Sequence, residues 1–175
     1  MEKVESFEYL LYKLLEWQEQ ESGNKDNDMS VLKALKLLFL VSAVDTHKNS
    51  QNTLLDSPFD NFVAMPYGHV ESDVYSAIKN KQLKNVVINN QKTEIQNLDV
   101  LKSLNNGTTT LIDVAVEKLK TINKGLINLS SFDFVELSHR WYSWQKNYRI
   151  ARNNNTYSHP ISIDEIKSEI KLYQL

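Results

Sequence analysis

The residues of this chain that could do metal or acid–base chemistry are its four histidines, and they are scattered. His47, His69, His139 and His159 form no His-Glu-x-x-His motif, and no two of them have the spacing of a metal-binding pair. His69 and Asp73 could share one helix face as half of a metal site, or as a base and the acid that orients it. A polar pair at a helix start explains the same spacing, and we favour it. The sequence therefore predicts no metal site.

Signals of other catalytic chemistry are missing from the sequence. Four glycines leave little material for a phosphate-binding loop, and there is no Gly-x-Ser-x-Gly nucleophile elbow. The lack of cysteine excludes disulfides and thiolate metal ligands, and it agrees with a reducing compartment. We therefore expect neither enzymatic activity nor a cofactor.

One segment, residues 138–152, interleaves aromatic side chains with cations. That combination can stack bases and neutralise phosphates, or it can supply the anchors of a protein interface. Trp141 and Trp144 stand at i and i+3, so a continuing helix could bury them in the core instead. A solvated charged face is the other explanation of the cations. The cations that are candidates for partner contact are Arg140, Lys146, Arg149 and Arg152.

Tyr67 stands between Pro66 and Gly68, two residues that break regular structure. The sequence predicts an exposed corner there, followed by a helix that runs from Val70 to about Asn80. A tyrosine on a restrained backbone is an economical recognition residue, although it could also pack over the start of that helix. The full set of predicted partner-binding residues is Tyr67, His69, Arg140, Trp141, Trp144, Arg149 and Arg152.

Length and composition predict one domain spanning residues 1–175. The chain is 41% hydrophobic, with a net charge of −2 and a pI near 6.1, which argues against a global nucleic-acid or membrane footprint. No apolar run reaches the length of a membrane span, and Glu2, Lys3 and Glu5 interrupt any signal peptide at once. We expect a soluble cytoplasmic protein with no membrane partner.

The charge is unevenly distributed along the chain. Residues 2–28, predicted to be an N-terminal acidic helix and loop, contain eight acidic residues and three lysines. Residues 137–163 contain four cations and no acid. The sequence therefore predicts a dipolar molecule.

Hydrophobic periodicity and helix caps predict a mainly α fold, with α+β as the alternative: a compact multi-helix single domain with a short hairpin or extended segment. In the helix that Ser30 caps and that runs to about Val44, the section from Leu37 to Val41 is apolar all round, so this helix must be central. The face of Leu111, Val114, Ala115 and Leu119 is predicted to be buried. Two more helices are predicted over residues 4–20 and from Thr110 to Ile122, the second stopped by Gly125. Another helix follows a cap at Ser130 or Ser131, and the last runs from Ile163 to Leu172 and begins with a Ser162–Glu165 capping box. A hairpin is predicted from Val86–Ile88 and Thr93–Ile95.

Two motifs give the chain a family resemblance. Lys36 to Phe39 lies in the central helix, and Phe62 to Tyr75 joins an extended segment to a turn and a helix. In this order and spacing they resemble the SocA-like antitoxin family, or Panacea domain, from about Met29 to the end of the chain. That family has a Lys-Leu-Leu-Tyr helix and then an aromatic-Gly-Pro-Val helix start. Here Phe39 replaces the tyrosine and His69 stands at the usual proline.

The resemblance implies an antitoxin-type domain that neutralises a partner, a cognate toxin, by direct binding without catalysis. Family members occur in toxin operons and in phage or other mobile elements, so inhibition of a host protein is a close variant. A tryptophan near Trp144 recurs in the family, which favours packing for that residue. The alternative from another class is a nucleic-acid-binding regulator that uses residues 140–152. The identity of the partner and the oligomeric state remain open.

Overall fold

The computed structural model describes residues 2–175, and within them there are eight α-helices and two small antiparallel sheets. No helix in this range combines the length and the apolar character that crossing a membrane requires. The mainly α fold predicted from the sequence is confirmed. The helices are α1 (Glu2–Ser22), α2 (Val31–Ala43), α3 (Ser72–Lys79), α4 (Leu98–Ser103), α5 (Gly107–Ile122), α6 (Ser131–His139), α7 (Tyr142–Asn153) and α8 (Ile163–Ser168), with a 3-10 helix, Lys124–Asn128, between α5 and α6.

Five short strands form two antiparallel sheets in the described part of the chain. They are β1 (Phe62–Met65), β2 (Gly68–Glu71), β3 (Val86–Ile88), β4 (Thr93–Ile95) and β5 (His159–Pro160). The larger sheet has the order β2-β1-β5, and in it Met65 pairs with Gly68 across a two-residue turn. The predicted β3–β4 hairpin is confirmed, with Val86 opposite Ile95.

Helix α2 is the centre of the core, as its apolar sequence predicts. Ser30 caps it by accepting a hydrogen bond from the backbone N–H of Lys33 at 3.2 Å, which satisfies one free donor of the first turn. Leu37 and Leu38 are completely buried. The helix packs against β2, α5 and α6, so three parts of the fold share its surface.

Helix α1 is fixed at its beginning by one lysine. The Nζ atom of Lys3 lies 2.7 Å from a carboxylate oxygen of each of Asp60, Glu71 and Asp73. These three carboxylates are close enough together to hold a metal ion, and the ammonium group stands among them instead. Glu71 also caps α3, because its Oε2 accepts a hydrogen bond from the N–H of Val74 at 2.8 Å.

The helix predicted from Val70 to Asn80 begins later than expected. Val70 lies in β2 opposite Val63, and α3 starts only at Ser72. His69 is also a strand residue, so it shares no helix face with Asp73, and the pair is neither the half-site considered above nor a pair within one helix. The cause is strand pairing: β1 offers backbone partners up to Glu71, which is both the last residue of β2 and the cap of α3, and Asp73 lies in the first turn of that helix.

The exposed and buried faces of α5 differ from the prediction. Ile112, Val116 and Leu119 are buried, whereas Leu111 and Val114 are exposed, because α5 turns the next stripe of its surface toward α1 and α2. The helix ends at Ile122 with Asn123 as its cap, so Gly125 does not stop it.

Two further predictions near the C-terminus are wrong. Ser162 makes no side-chain capping bond, the Glu165 carboxylate is bound to Lys146 and Asn147, and α8 ends at Ser168. The aromatic segment is not one continuing helix: α6 ends at His139, and Trp141 is the residue before α7.

The central position of α2 gives a stability prediction. Leu38→Ala should lower the free energy of unfolding by about 2 to 5 kcal/mol, because a fully buried leucine leaves a cavity when truncated. Leu111→Ala is the control, since Leu111 is 38% exposed and should lose less than about 1 kcal/mol. Denaturant melts measure both, and equal losses would contradict the assignment of α2 as the core.

Candidate partner-binding site

The corner between β1 and β2 is an exposed turn of Pro66 and Tyr67. The tyrosine side chain is 57% exposed, as the sequence predicts. Gly68 closes the turn with φ +109°, a value that side chains disfavour. A Cβ on Gly68 would also lie 2.8 Å from Cβ of Ser138 and 3.0 Å from Cε of Lys36. The corner therefore requires glycine for its backbone angle and for its packing.

Two aromatic side chains hold this corner from the other side. The indole Nε1 of Trp144 donates a hydrogen bond to the carbonyl of Met65 at 2.8 Å, and Nε2 of His139 lies 3.0 Å from the carbonyl of Pro66. A carbonyl only accepts, so Nε2 of His139 carries a proton. Burial lowers the pKa of His139, which favours the neutral ring. The turn that presents Tyr67 is thus bonded to both α6 and α7.

Lys36 supports the hairpin from inside the core. Its Nζ donates to the carbonyl of His69 at 2.7 Å, and that bond is the polar contact of a side chain that is only 1% exposed. Burial without a carboxylate partner lowers the pKa of Lys36 to about 7. Helix α2 therefore binds the backbone of β2 directly through a lysine.

His69 is completely buried, so the prediction that it contacts a partner is wrong. Its Nδ1 lies 2.7 Å from Oγ of Ser138 and its Nε2 lies 2.8 Å from Oγ of Ser143. The ring stacks on Phe39 with centroids 3.6 Å apart. Burial, followed by the charge of Lys36, lowers the pKa of His69 well below its usual value. The residue joins β2 to α6 and α7 inside the core.

Trp141 is also buried, and it does not belong to the exposed surface. Its Nε1 donates to the carbonyl of Leu172 at 3.1 Å, and its ring packs edge-on against Phe39 and Tyr173. The core-packing interpretation of Trp141 is therefore correct, and the partner-binding prediction for it is wrong. The residue fastens the C-terminal segment to the centre of the molecule.

Trp144 lies at the surface in a stack of three rings. His139 covers one face of the indole at 3.8 Å between centroids, and Tyr148 covers the other at 4.9 Å, both with an interplanar angle of 17°. Both faces of Trp144 are occupied within the protein. The outer face of Tyr148 ends this stack.

The four cations of the late segment divide into two kinds. Arg140 forms an ion pair with Glu136 at 2.9 Å, and Lys146 forms one with Glu165 at 2.8 Å. Within residues 2–175, no acidic group lies within ion-pair distance of Arg149 or Arg152. Both arginines are exposed. Two of the four positive charges are therefore still available to a partner.

A groove of about 520 Å³ runs along this face of α7. The side chains of Gln145, Tyr148, Arg149 and Arg152 recur at intervals of three or four residues, so they share one side of the helix. The helical spacing of these residues is visible in the sequence, but Gln145, Tyr148 and Asn153 are not among the predicted partner-binding residues. The residues that line the groove are Trp144, Gln145, Tyr148, Arg149, Arg152 and Asn153.

The C-terminal segment caps α7 from outside the helix. Trp141 cannot cap it with its side chain, and Oε2 of Glu169 accepts a hydrogen bond from the backbone N–H of Ser143 at 2.7 Å. The negative charge at this end suits the helix dipole. Burial raises the pKa of Glu169, whose other oxygen is buried without a hydrogen-bond partner in the described residues. The position of α7 therefore depends on the end of the chain.

The corner at Gly68 generates a matched pair of glycine variants. Gly68→Ala should lower the free energy of unfolding by about 1 kcal/mol or more, because the residue has positive φ and contacts Ser138 closely. Gly107→Ala should leave stability equal or raise it by up to about 1 kcal/mol, because a Cβ there meets nothing within 4 Å and the residue is helical. Thermal melts of both variants measure the difference.

Lys36 should make stability depend on pH. The folded-state pKa is about 7 and the ordinary value is 10.5, so the unfolded chain binds more protons between these values and stability rises with pH there. The difference in unfolding free energy between Lys36→Met and wild type should therefore move in favour of wild type as the pH increases. Denaturant melts between about pH 6 and pH 9 measure this slope. Lys146→Met should show no such slope, because the hydrogen bond to Glu165 raises the pKa of Lys146 and the residue stays protonated throughout this range.

Comparison with protein families finds a family whose model matches this chain. A family model described as antitoxin SocA-like, Panacea domain, matches residues 35–145. Comparison with curated proteins and with solved structures finds no match. The matched range includes Lys36, the β1–β2 hairpin and Trp144, which are the parts that build the corner, and it covers more than half of the chain. The chain therefore belongs to the SocA-like antitoxin family with the Panacea domain.

Proposed function

We propose that this protein is an antitoxin-type binding domain that neutralises a partner protein, a cognate toxin, by direct contact. The family membership supports an antitoxin role. The observation that carries the proposal is the exposed corner at Tyr67, whose backbone is bonded to His139 and Trp144. A recognition residue that is held before binding loses little conformational freedom on binding, which favours affinity.

The proposed contact surface is called the corner–groove face and consists of Tyr67, Trp144, Tyr148, Arg149 and Arg152. Aromatic and arginine side chains are the residue types that most often dominate interface energies. The aromatic stack fixes the rings of this face, and the corner adjoins the stack because Trp144 binds the carbonyl two residues before Tyr67. The face thus combines a fixed apolar part with two available charges.

The proposed function requires no catalysis and no cofactor. His69 has both ring nitrogens within hydrogen-bond distance of serines and lies in the core, so it has no access to a substrate. His139 uses its Nε2 on the carbonyl of Pro66. The groups with acid–base potential near the corner serve to hold the fold. We propose that the protein works by binding alone, in the cytoplasm.

A nucleic-acid-binding regulator is the second candidate, and the unpaired Arg149 and Arg152 favour it. Two features weigh against it. Bases stack on open aromatic faces, and both faces of Trp144 are covered by His139 and Tyr148. Arg140 already has an acidic partner, so few charges remain to neutralise phosphates. Inhibition of a host protein by a mobile element would use the same face, and identification of the partner distinguishes it from toxin binding.

The proposal is tested by purifying the protein with its partner from the native host and identifying that partner by mass spectrometry. Tyr67→Ala should then weaken binding about tenfold or more, since loss of a central aromatic anchor costs over about 1.4 kcal/mol. Phe132→Ala is the control, because Phe132 is 73% exposed at the far end of α6. Calorimetry measures both affinities. Recovery of nucleic acid alone, with no bound protein, would contradict the proposal.

A further inference from the structure

We infer that the groove on α7 is a receptor for an acidic segment of the partner, whose carboxylates bind Arg149 and Arg152. This inference rests on the proposed function, because it assigns the chemistry of the partner at the same face. It is carried by the separation of the cations into paired and unpaired ones. The sequence alone shows four equivalent cations and cannot make this distinction.

The two arginines have the geometry of a charged receptor. They are three residues apart on α7, so both guanidinium groups extend from the same side of the helix. A guanidinium offers several N–H donors in a fixed plane and binds a carboxylate through two of them. Neither arginine has an acidic group within ion-pair distance in residues 2–175, and residues 137–163 contain no acid. A partner carboxylate would therefore enter without displacing an existing ion pair.

The remainder of the groove suits a peptide segment. Asn153 supplies an amide group that can pair with a backbone, and Gln145, whose Nε2 donates to the carbonyl of His139 at 2.9 Å, supplies its amide oxygen. Tyr148 and Trp144 supply an apolar wall. A groove of about 520 Å³ accommodates a few side chains and not a whole domain. The chemistry that fits is a short stretch of Asp or Glu residues interrupted by an apolar side chain that contacts Tyr148.

The charge distribution of the whole chain favours the same partner. The acidic helix α1 packs against α3, α4 and α5, whereas α7 packs against β1, β5 and α6. The acidic and basic parts of the molecule thus have different neighbours. An acidic partner is repelled by α1 and attracted by α7, which orients it toward the groove and accelerates association at low salt.

The test uses the full-length protein and three labelled probes: a short peptide rich in Glu and Leu, the same peptide with Gln in place of Glu, and a single-stranded DNA oligonucleotide. The acidic peptide should bind, and the Gln peptide should bind at least about tenfold more weakly. The double variant Arg149→Gln/Arg152→Gln should lose binding of the acidic peptide to the same extent. Fluorescence anisotropy at about 50 and 200 mM salt measures each affinity.

Arg140→Gln is the matched control, since Arg140 lies in the same basic segment but is already paired with Glu136. It should bind the acidic peptide like wild type. Equal binding of the acidic and Gln peptides, or equal loss in Arg140→Gln, would overturn the inference. Tighter, arginine-dependent binding of the oligonucleotide would overturn it in favour of nucleic acid. Neutralisation that persists in the double variant removes only this inference, whereas absence of any protein partner removes the proposed function.

Discussion

The hydrogen bond from Lys36 to the carbonyl of His69 is the contact on which the candidate site depends. It places the ammonium group of a lysine in the middle of α2 against a backbone carbonyl of β2, with 2.7 Å between nitrogen and oxygen. A buried carbonyl needs a donor, and a buried amine needs an acceptor, so each group satisfies the other. The bond requires close approach, and the lack of a side chain on Gly68 permits it. Burying an amine without a counter-charge lowers the stability of the fold, and here the buried amine is the group that fixes the corner.

The same hairpin is held on its other side by α6 and α7, each of which contributes two consecutive residues that bind it. Ser138 and Ser143 bind the ring of His69, while His139 and Trp144 bind the carbonyls of Pro66 and Met65. Neighbouring residues of each helix thus serve opposite purposes, one facing the core and the next facing the turn. The corner is exposed and rigid at once because these inner and outer bonds come from the same two helices.

The extent to which the sequence predicts this structure depends on whether the determining signal is local. Ser30 and the apolar run after it identify α2, since a cap and a hydrophobic pattern act within one helix. The position of β2 was missed although its pairing with β1 crosses only a two-residue turn, because Glu71 resembles a helix beginning. The exposure of Tyr67 follows from its turn. The burial of His69 and Trp141 does not, because it depends on Phe39 and on the C-terminal segment.

Positively charged residues have different roles here according to their burial, which explains why composition alone did not locate the site. Lys36 is buried and holds the hairpin, whereas Arg149 is exposed and unpaired in the described chain. The family match ends at residue 145, and α7 continues to Asn153. The matched part therefore contains the bonds that fix the corner, while both available arginines lie beyond it. Exposed arginines contribute little to folding, so substitutions at Arg149 and Arg152 can change partner binding without disturbing the core.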